Sequence, residues 1–164
     1  MDEGERFLVL LRHGEAEEAR EGVDDAERAL TSEGHARMKE IARGLEHLFP
    51  KAQAIYASPL KRAVQTAMWV AKAYRSRVKV EIGDALKPGV PFADFRAFVD
   101  AVPHKRIILV GHEPTLTDDA LALLGVHVSA LELKKGGCYG IRLRPNATPV
   151  LEWLLSPRVL RRLA

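Results

Sequence analysis

The sequence predicts an α/β fold: a three-layer α/β/α sandwich on a mostly parallel central sheet, with an antiparallel strand added near the C-terminus. Three observations predict it. Residues 7–11 and 107–110 are unbroken apolar runs of strand length, as expected of strands buried on both faces. Segments of helical period alternate with short strand-like runs along most of the chain, which is the pattern of βαβ units. Cys138–Leu143 and Val150–Leu155 then follow each other with no helix between, so they read as a closing hairpin at one edge.

Taken in order, the first strand (7–11) stops at Arg12-His13-Gly14. Residues 15–27 are polar and without a clear period, which predicts a loop or short helix over that strand end. Thr31 or Ser32 caps a helix whose apolar stripe is Met38, Ile41, Ala42, Leu45, Leu48 and Phe49, and Pro50 ends it. Residues 52–57 form a second strand. Ser58-Pro59 is expected to cap and start the next helix, with Pro at the first helical position, running to about Tyr74. Residues 78–82 alternate and predict an edge strand, 83–91 a loop with two prolines and two glycines, and 92–102 a helix. Residues 106–111 are the second buried strand, ending at His112, and Thr115–Leu124 the following helix. Gly136-Gly137 turns the chain into the hairpin.

Composition narrows the function. A chain of 164 residues with 47% hydrophobic and 29% charged residues fits one domain, 1–164, with a real core. The formal charge of +3 is mild, and Arg158, Arg161 and Arg162 read as a solvated helix face, so nucleic acid is not an expected partner. No apolar run approaches the roughly 20 residues of a membrane span, and the acidic N-terminus is unlike a signal peptide. The single cysteine, Cys138, has no partner for a disulfide and no companions for a zinc site, and it reads as small packing. A reducing cytoplasm is the expected location.

The chemistry falls at strand ends. Arg12 and His13 follow the first strand, His112 follows the strand at 106–111, and Arg62 lies in the first turn of the helix after 52–57. If these strands are parallel, all four side chains meet at one rim, outside the strands' carboxyl ends, where α/β sheets bind ligands. Two guanidinium forks suit the oxygens of a phosphoryl group, and a neutral imidazole nitrogen can attack phosphorus in line. Two nearby arginines should lower the pKa of His13 and keep it nucleophilic. His112, protonated or donating a proton, would help to neutralise the transferring group.

Leu11-Arg12-His13-Gly14-Glu15, residues 58–67 (Ser-Pro-Leu-Lys-Arg-Ala-Val-Gln-Thr-Ala) and Val110-Gly111-His112-Glu113-Pro114 resemble the three signatures of the histidine phosphatase (phosphoglycerate mutase-like) superfamily. Leu30-Thr31-Ser32-Glu33-Gly34 is similar to its Leu-Thr-x-x-Gly helix start. The chain's length and its tail, Glu152-Trp153-Leu154-Leu155-Ser156-Pro157, resemble the small SixA-type phosphohistidine phosphatases. The resemblance implies His13 as the phospho-accepting nucleophile, Arg12 and Arg62 as phosphate ligands, His112 completing the pocket, and no metal or organic cofactor.

Larger members of that family supply a carboxylate as general acid. Here Asp84 is the nearest candidate and Glu15 its rival. A missing acid makes chemical sense for phosphohistidine, because imidazole leaves more readily than an alkoxide. The expected substrate is therefore phosphohistidine in a protein. The alternatives are a small phosphomonoester handled by the same chemistry and, in another class, a phosphate-binding module without turnover. A metal-dependent hydrolase is disfavoured because two arginines at the same point would repel a cation. Trp69 and Trp153 are expected in the core, His35 and His47 at the surface, Gln65 and Thr66 in helix packing and polar support, and Arg28 facing water.

Overall fold

The computed structural model describes residues 4–164. Six strands form one sheet: β1 (Arg6–Arg12), β2 (Ala54–Ala57), β3 (Val80–Ile82), β4 (Arg106–Gly111), β5 (Cys138–Leu143) and β6 (Val150–Leu155), in the order β3-β2-β4-β1-β5-β6. β3, β2, β4 and β1 pair in parallel, β5 runs against β1, and β6 runs against β5. One strand therefore opposes the direction of the other five, and it is the first of the closing hairpin.

Successive side chains of a strand point to opposite faces, and β1 shows what that does here. Phe7, Val9 and Leu11 face a core shared with α1 (Ser32–Leu48), α2 (Lys61–Ala73) and α5 (Pro157–Arg162), through Met38, Ile41, Leu45, Ala63, Ala67, Val70 and Leu160. Leu8 and Leu10 face a second core shared with α3 (Phe92–Ala101) and α4 (Thr115–Leu124), through Phe95, Val99, Leu116, Ala120 and Leu123. The continuous apolar run is the consequence of having a helical layer on both sides. Cys138 is buried with a free thiol that burial pushes up to about 12, consistent with packing.

Thr31 is the α1 N-cap, its Oγ1 accepting from Gly34 N at 2.9 Å. The helix after β2 departs from expectation. It begins at Lys61, with Leu60 as the cap residue and no side-chain cap bond, so Ser58 does not cap it and Pro59 is not its first residue. Residues 58–60 instead carry the chain away from the sheet, and Ser58 N donates to Val110 O at 2.9 Å. β2 begins at Ala54 rather than at residue 52, and β3 is only three residues long, an edge strand as expected. The loop at 83–91 contains a 3-10 turn, Asp84–Leu86. Trp69 and Trp153 are half-buried at the core's margin rather than inside it. Trp69 Nε1 donates to His35 Nδ1 at 2.9 Å, which ties a histidine expected at the surface to the helix beside it. Among the described residues no helix is long and apolar enough to cross a membrane.

α5 crosses α1 at Gly44, where an added Cβ would overlap the backbone carbonyl of Leu160. Alanine is the better helix former by about 1 kcal/mol, but overlap with backbone in a packed interface costs about 1–3 kcal/mol. Gly44→Ala is therefore expected to lower the urea midpoint, whereas an unchanged or higher midpoint would contradict this packing.

Candidate active site

The last rung of the β1–β4 ladder pairs Arg12 with Gly111, and His13 N then donates to Gly111 O at 3.1 Å. The parallel register thus carries His13 and His112 out of the sheet side by side, with ring centroids 5.1 Å apart. β2 lies beside β4 with Ala57 opposite Val110, so Ser58 and the start of α2 reach the same rim. Arg62, the second residue of α2, turns inward and is 3% exposed. All four residues expected from the sequence are thereby brought together.

The loop that holds His13 is fixed from three sides. Gly14 N donates to Thr66 Oγ1 at 3.0 Å, and Thr66 Oγ1 donates to Arg62 O at 2.8 Å. Gly136 N donates to the carbonyls of Arg12 and His13, both at 3.1 Å, and Arg12 Nη1 donates to Leu133 O at 2.7 Å. Beneath, Gly34 lets α1 approach so closely that any side chain there would strike the Glu15 carbonyl.

His13 Nδ1 lies 2.7 Å from the Gly14 carbonyl. A carbonyl only accepts, so Nδ1 carries the proton and Nε2 keeps its lone pair. Burial, followed by the charges of Arg62, Arg12 and Lys135, lowers the His13 pKa to about 4 against the opposing Gly14 bond. The direction is the one expected from the arginines, but burial is the larger cause. His112 is lowered to about 3, first by burial and then by His13, Arg62 and Arg12, with Asp25 opposing. Both rings are neutral at pH 7, so His112 contributes an N–H and not the positive charge considered from sequence.

Arg12 Nε, Arg62 Nε and His112 Nδ1 are buried and make no hydrogen bond within the protein. Buried polar atoms almost always have partners, and three such atoms in one cluster mark a place built for an anion's oxygens. Among the described residues no three His, Cys, Asp or Glu side chains are arranged to hold a metal ion.

The carboxylates considered as general acids make their contacts elsewhere. Glu15 pairs with Lys135 at 2.7 Å, and Asp84, largely exposed, pairs with Lys87 at 2.7 Å. The carboxylate that reaches the cluster is Asp25, on a 3-10 turn (Asp25–Glu27) in the segment after β1. Arg62 Nη1 donates to its backbone carbonyl at 2.8 Å and Nη2 to its Oδ2 at 2.9 Å, while Arg28 Nε donates to Oδ1 at 2.7 Å. Burial works against the Asp25 carboxylate, but Arg62 and Arg28 together hold its pKa below the usual value, so it is ionised. Arg28, expected to face water, thus links the loop to Arg62 through Asp25, and its Nη1 also donates to Glu17 O at 2.9 Å. Nothing in the sequence separated Asp25 from its acidic neighbours Asp24 and Glu27.

Thr66 is fully buried and serves two backbone-linked bonds. Thr66→Val keeps the shape and leaves Gly14 N without its acceptor, which costs about 1–3 kcal/mol for a buried donor. Urea denaturation is expected to show a loss of that size, and wild-type stability would mean that Thr66 does not hold the loop that carries His13.

Comparison with known proteins agrees with this geometry. The family model of the histidine phosphatase superfamily (branch 1) matches residues 8–87, the part of the chain that includes Arg12, His13, Ser58 and Arg62. An uncharacterised protein of Picosynechococcus sp. is 34% identical over 139 residues, 82% of this chain and 84% of that one. The protein histidine phosphatase SixA complexed with tungstate superposes with a TM-score of 0.82 at 20% identity, over 94% of this chain and 99% of that one. A phosphoserine phosphatase mutant from Entamoeba histolytica, in complex with phosphoserine, gives a TM-score of 0.72 at 21% identity, over 94% and 99%. The two solved structures share the fold of this chain. A matching family model, a relative matched over most of both chains and this shared fold lead to one conclusion: the chain belongs to the histidine phosphatase superfamily and is a phosphatase with a SixA-like fold.

Proposed function

We propose that the chain removes phosphoryl groups without a metal, through a covalent phosphohistidine on His13, and that its substrate is phosphohistidine carried by a protein. The observation that carries the mechanism is a buried His13 with Nδ1 bound to Gly14 O, its pKa lowered by burial, beside three buried nitrogens without protein partners. Nε2 of His13 attacks phosphorus while the bond to the leaving group breaks and its electron pair passes to the leaving atom. Arg12 and Arg62 take the charge on the equatorial oxygens, and His112 donates an N–H to the same group. Water then attacks the phosphorus of phosphorylated His13, releasing inorganic phosphate and returning the imidazole.

The substrate reading rests on the carboxylates. Asp25 is ionised by its two arginines, and Glu15 and Asp84 are each paired with a lysine. Glu15 and Asp84 are thus engaged away from the cluster, and Asp25, which reaches it, is held as a carboxylate. An alkoxide leaving group would need a protonated acid; an imidazole already protonated on its distal nitrogen leaves neutral and needs none. The connection between β3 and α3, residues 83–91, is also too short to form a lid domain over a small metabolite.

With a chelator present, a phosphohistidine protein is expected to be dephosphorylated in preference to an aryl phosphate and a panel of metabolite phosphates. His13→Ala should lower turnover by about a thousandfold or more. Preference for one small phosphate would replace the substrate reading with a phosphomonoesterase, and turnover surviving His13→Ala would refute the mechanism.

The pH profile offers a second test. His13 attacks only when unprotonated, so kcat/KM should fall on the acid side through about pH 4 and not through 6.5, the ordinary histidine value. The profile must be corrected for the substrate's own second ionisation, at about 6. A corrected limb near 6.5 would show that His13 is not the buried, neutral group described.

A further inference from the structure

We propose that Ser58 is a positioning residue whose hydroxyl fixes the tautomer of His112, leaving Nδ1–H as the donor presented to the phosphoryl group. The proposal rests on the reading of this cluster as the phosphate pocket. Ser58 is fully buried between β2 and α2, and its backbone is anchored to β4 through Val110. Its Oγ lies 2.8 Å from His112 Nε2 and 3.3 Å from Leu60 N. Because α2 has no side-chain cap, the hydroxyl has no capping duty to perform.

Only one arrangement satisfies these groups. Leu60 N–H can only donate, so Ser58 Oγ accepts from it. If His112 carried its proton on Nε2, Ser58 would accept twice and its own buried hydroxyl proton would have no acceptor. The bare Nδ1 lone pair would then face the oxygens of the incoming anion, a repulsive contact. If the proton is on Nδ1, a directional chain forms from Leu60 N–H to Ser58 O–H to His112 Nε2, and each bond polarises the next. The one remaining donor is Nδ1–H, and Nδ1 is among the buried atoms without a protein partner. The low proton affinity of the ring keeps His112 neutral, so the choice between tautomers is the one that matters at neutral pH.

His13 is locked in the complementary sense. Its Nδ1–H is held by Gly14 O, so Nε2 offers a lone pair. The two neighbouring imidazoles would therefore present opposite faces, one an electron pair for phosphorus and the other a proton for oxygen. In each case the hydrogen bond of the other ring nitrogen decides which.

The test reads the tautomer directly. In ligand-free protein with 15N-labelled histidine, long-range 1H–15N correlation distinguishes protonated from bare ring nitrogens, and His112→Asn identifies the His112 signals. The expected result is a protonated Nδ1 and a bare Nε2 at neutral pH; a protonated Nε2 would overturn the proposal without any variant. Ser58→Ala is expected to move His112 toward the Nε2-protonated form and to weaken tungstate binding by about tenfold, the scale of one charge-assisted hydrogen bond. It should also lower kcat by more than it raises KM. A folded Ser58→Ala protein with the wild-type tautomer would overturn the proposal. The NMR result does not depend on turnover. The proposed tautomer in a protein that neither binds tungstate nor turns over would uphold Ser58 and refute the phosphate-pocket reading instead.

Discussion

The rung that joins Arg12 to Gly111 governs the whole rim of this molecule. Because β1 and β4 are parallel and end together, the residues that follow them emerge in the same direction, and His13 meets His112 at the first positions after the two strands. β2, on the other side of β4, adds Ser58 and the first turn of α2 by the same logic. A register slip of one residue would turn His13 or His112 to the opposite face. Both faces of these strands are apolar, so it is the fit of particular side chains into the two packed cores, rather than alternation, that opposes such a slip.

Burial gives the cluster its chemistry and also its cost. Taking two imidazoles and two guanidiniums out of water suppresses imidazole protonation and leaves donors unpaired, both of which work against folding. The structure offsets part of this cost locally. Asp25 balances Arg62, the Leu133 carbonyl accepts a hydrogen bond from Arg12, and Thr66 supports the Gly14 turn. What remains unsatisfied is concentrated at Arg12 Nε, Arg62 Nε and His112 Nδ1. A phosphoryl group brings the negative oxygens that would complete them, so the penalty carried by the free protein favours binding.

Much of this was legible in the sequence because it depends on pattern. Apolar runs at 7–11 and 107–110 identify two-sided burial, and the missing helix between Cys138–Leu143 and Val150–Leu155 identifies the antiparallel addition. The four cluster residues were legible because each sits at a strand end or in a helix's first turn. Roles set by tertiary contact were not. Ser58 before a proline carries the local signal of a helix cap, and only the neighbouring strand shows that its hydroxyl faces His112. Asp25 is one acid among several in a polar segment, and only the fold closes that segment onto Arg62. The cause of the His13 shift was hidden for the same reason: charged neighbours can be counted in a sequence, whereas depth of burial cannot.

In the proposed mechanism His13 Nε2 carries the phosphoryl group between substrate and water. The most direct test is rapid acid-free quenching of turnover with a 32P-labelled substrate, followed by peptide mapping. A burst of label is expected on the peptide containing His13, stable to alkali and lost in acid as expected of a phosphoramidate, and absent from His13→Ala. Turnover at the wild-type rate with no labelled enzyme, or label on a residue other than His13, would contradict it.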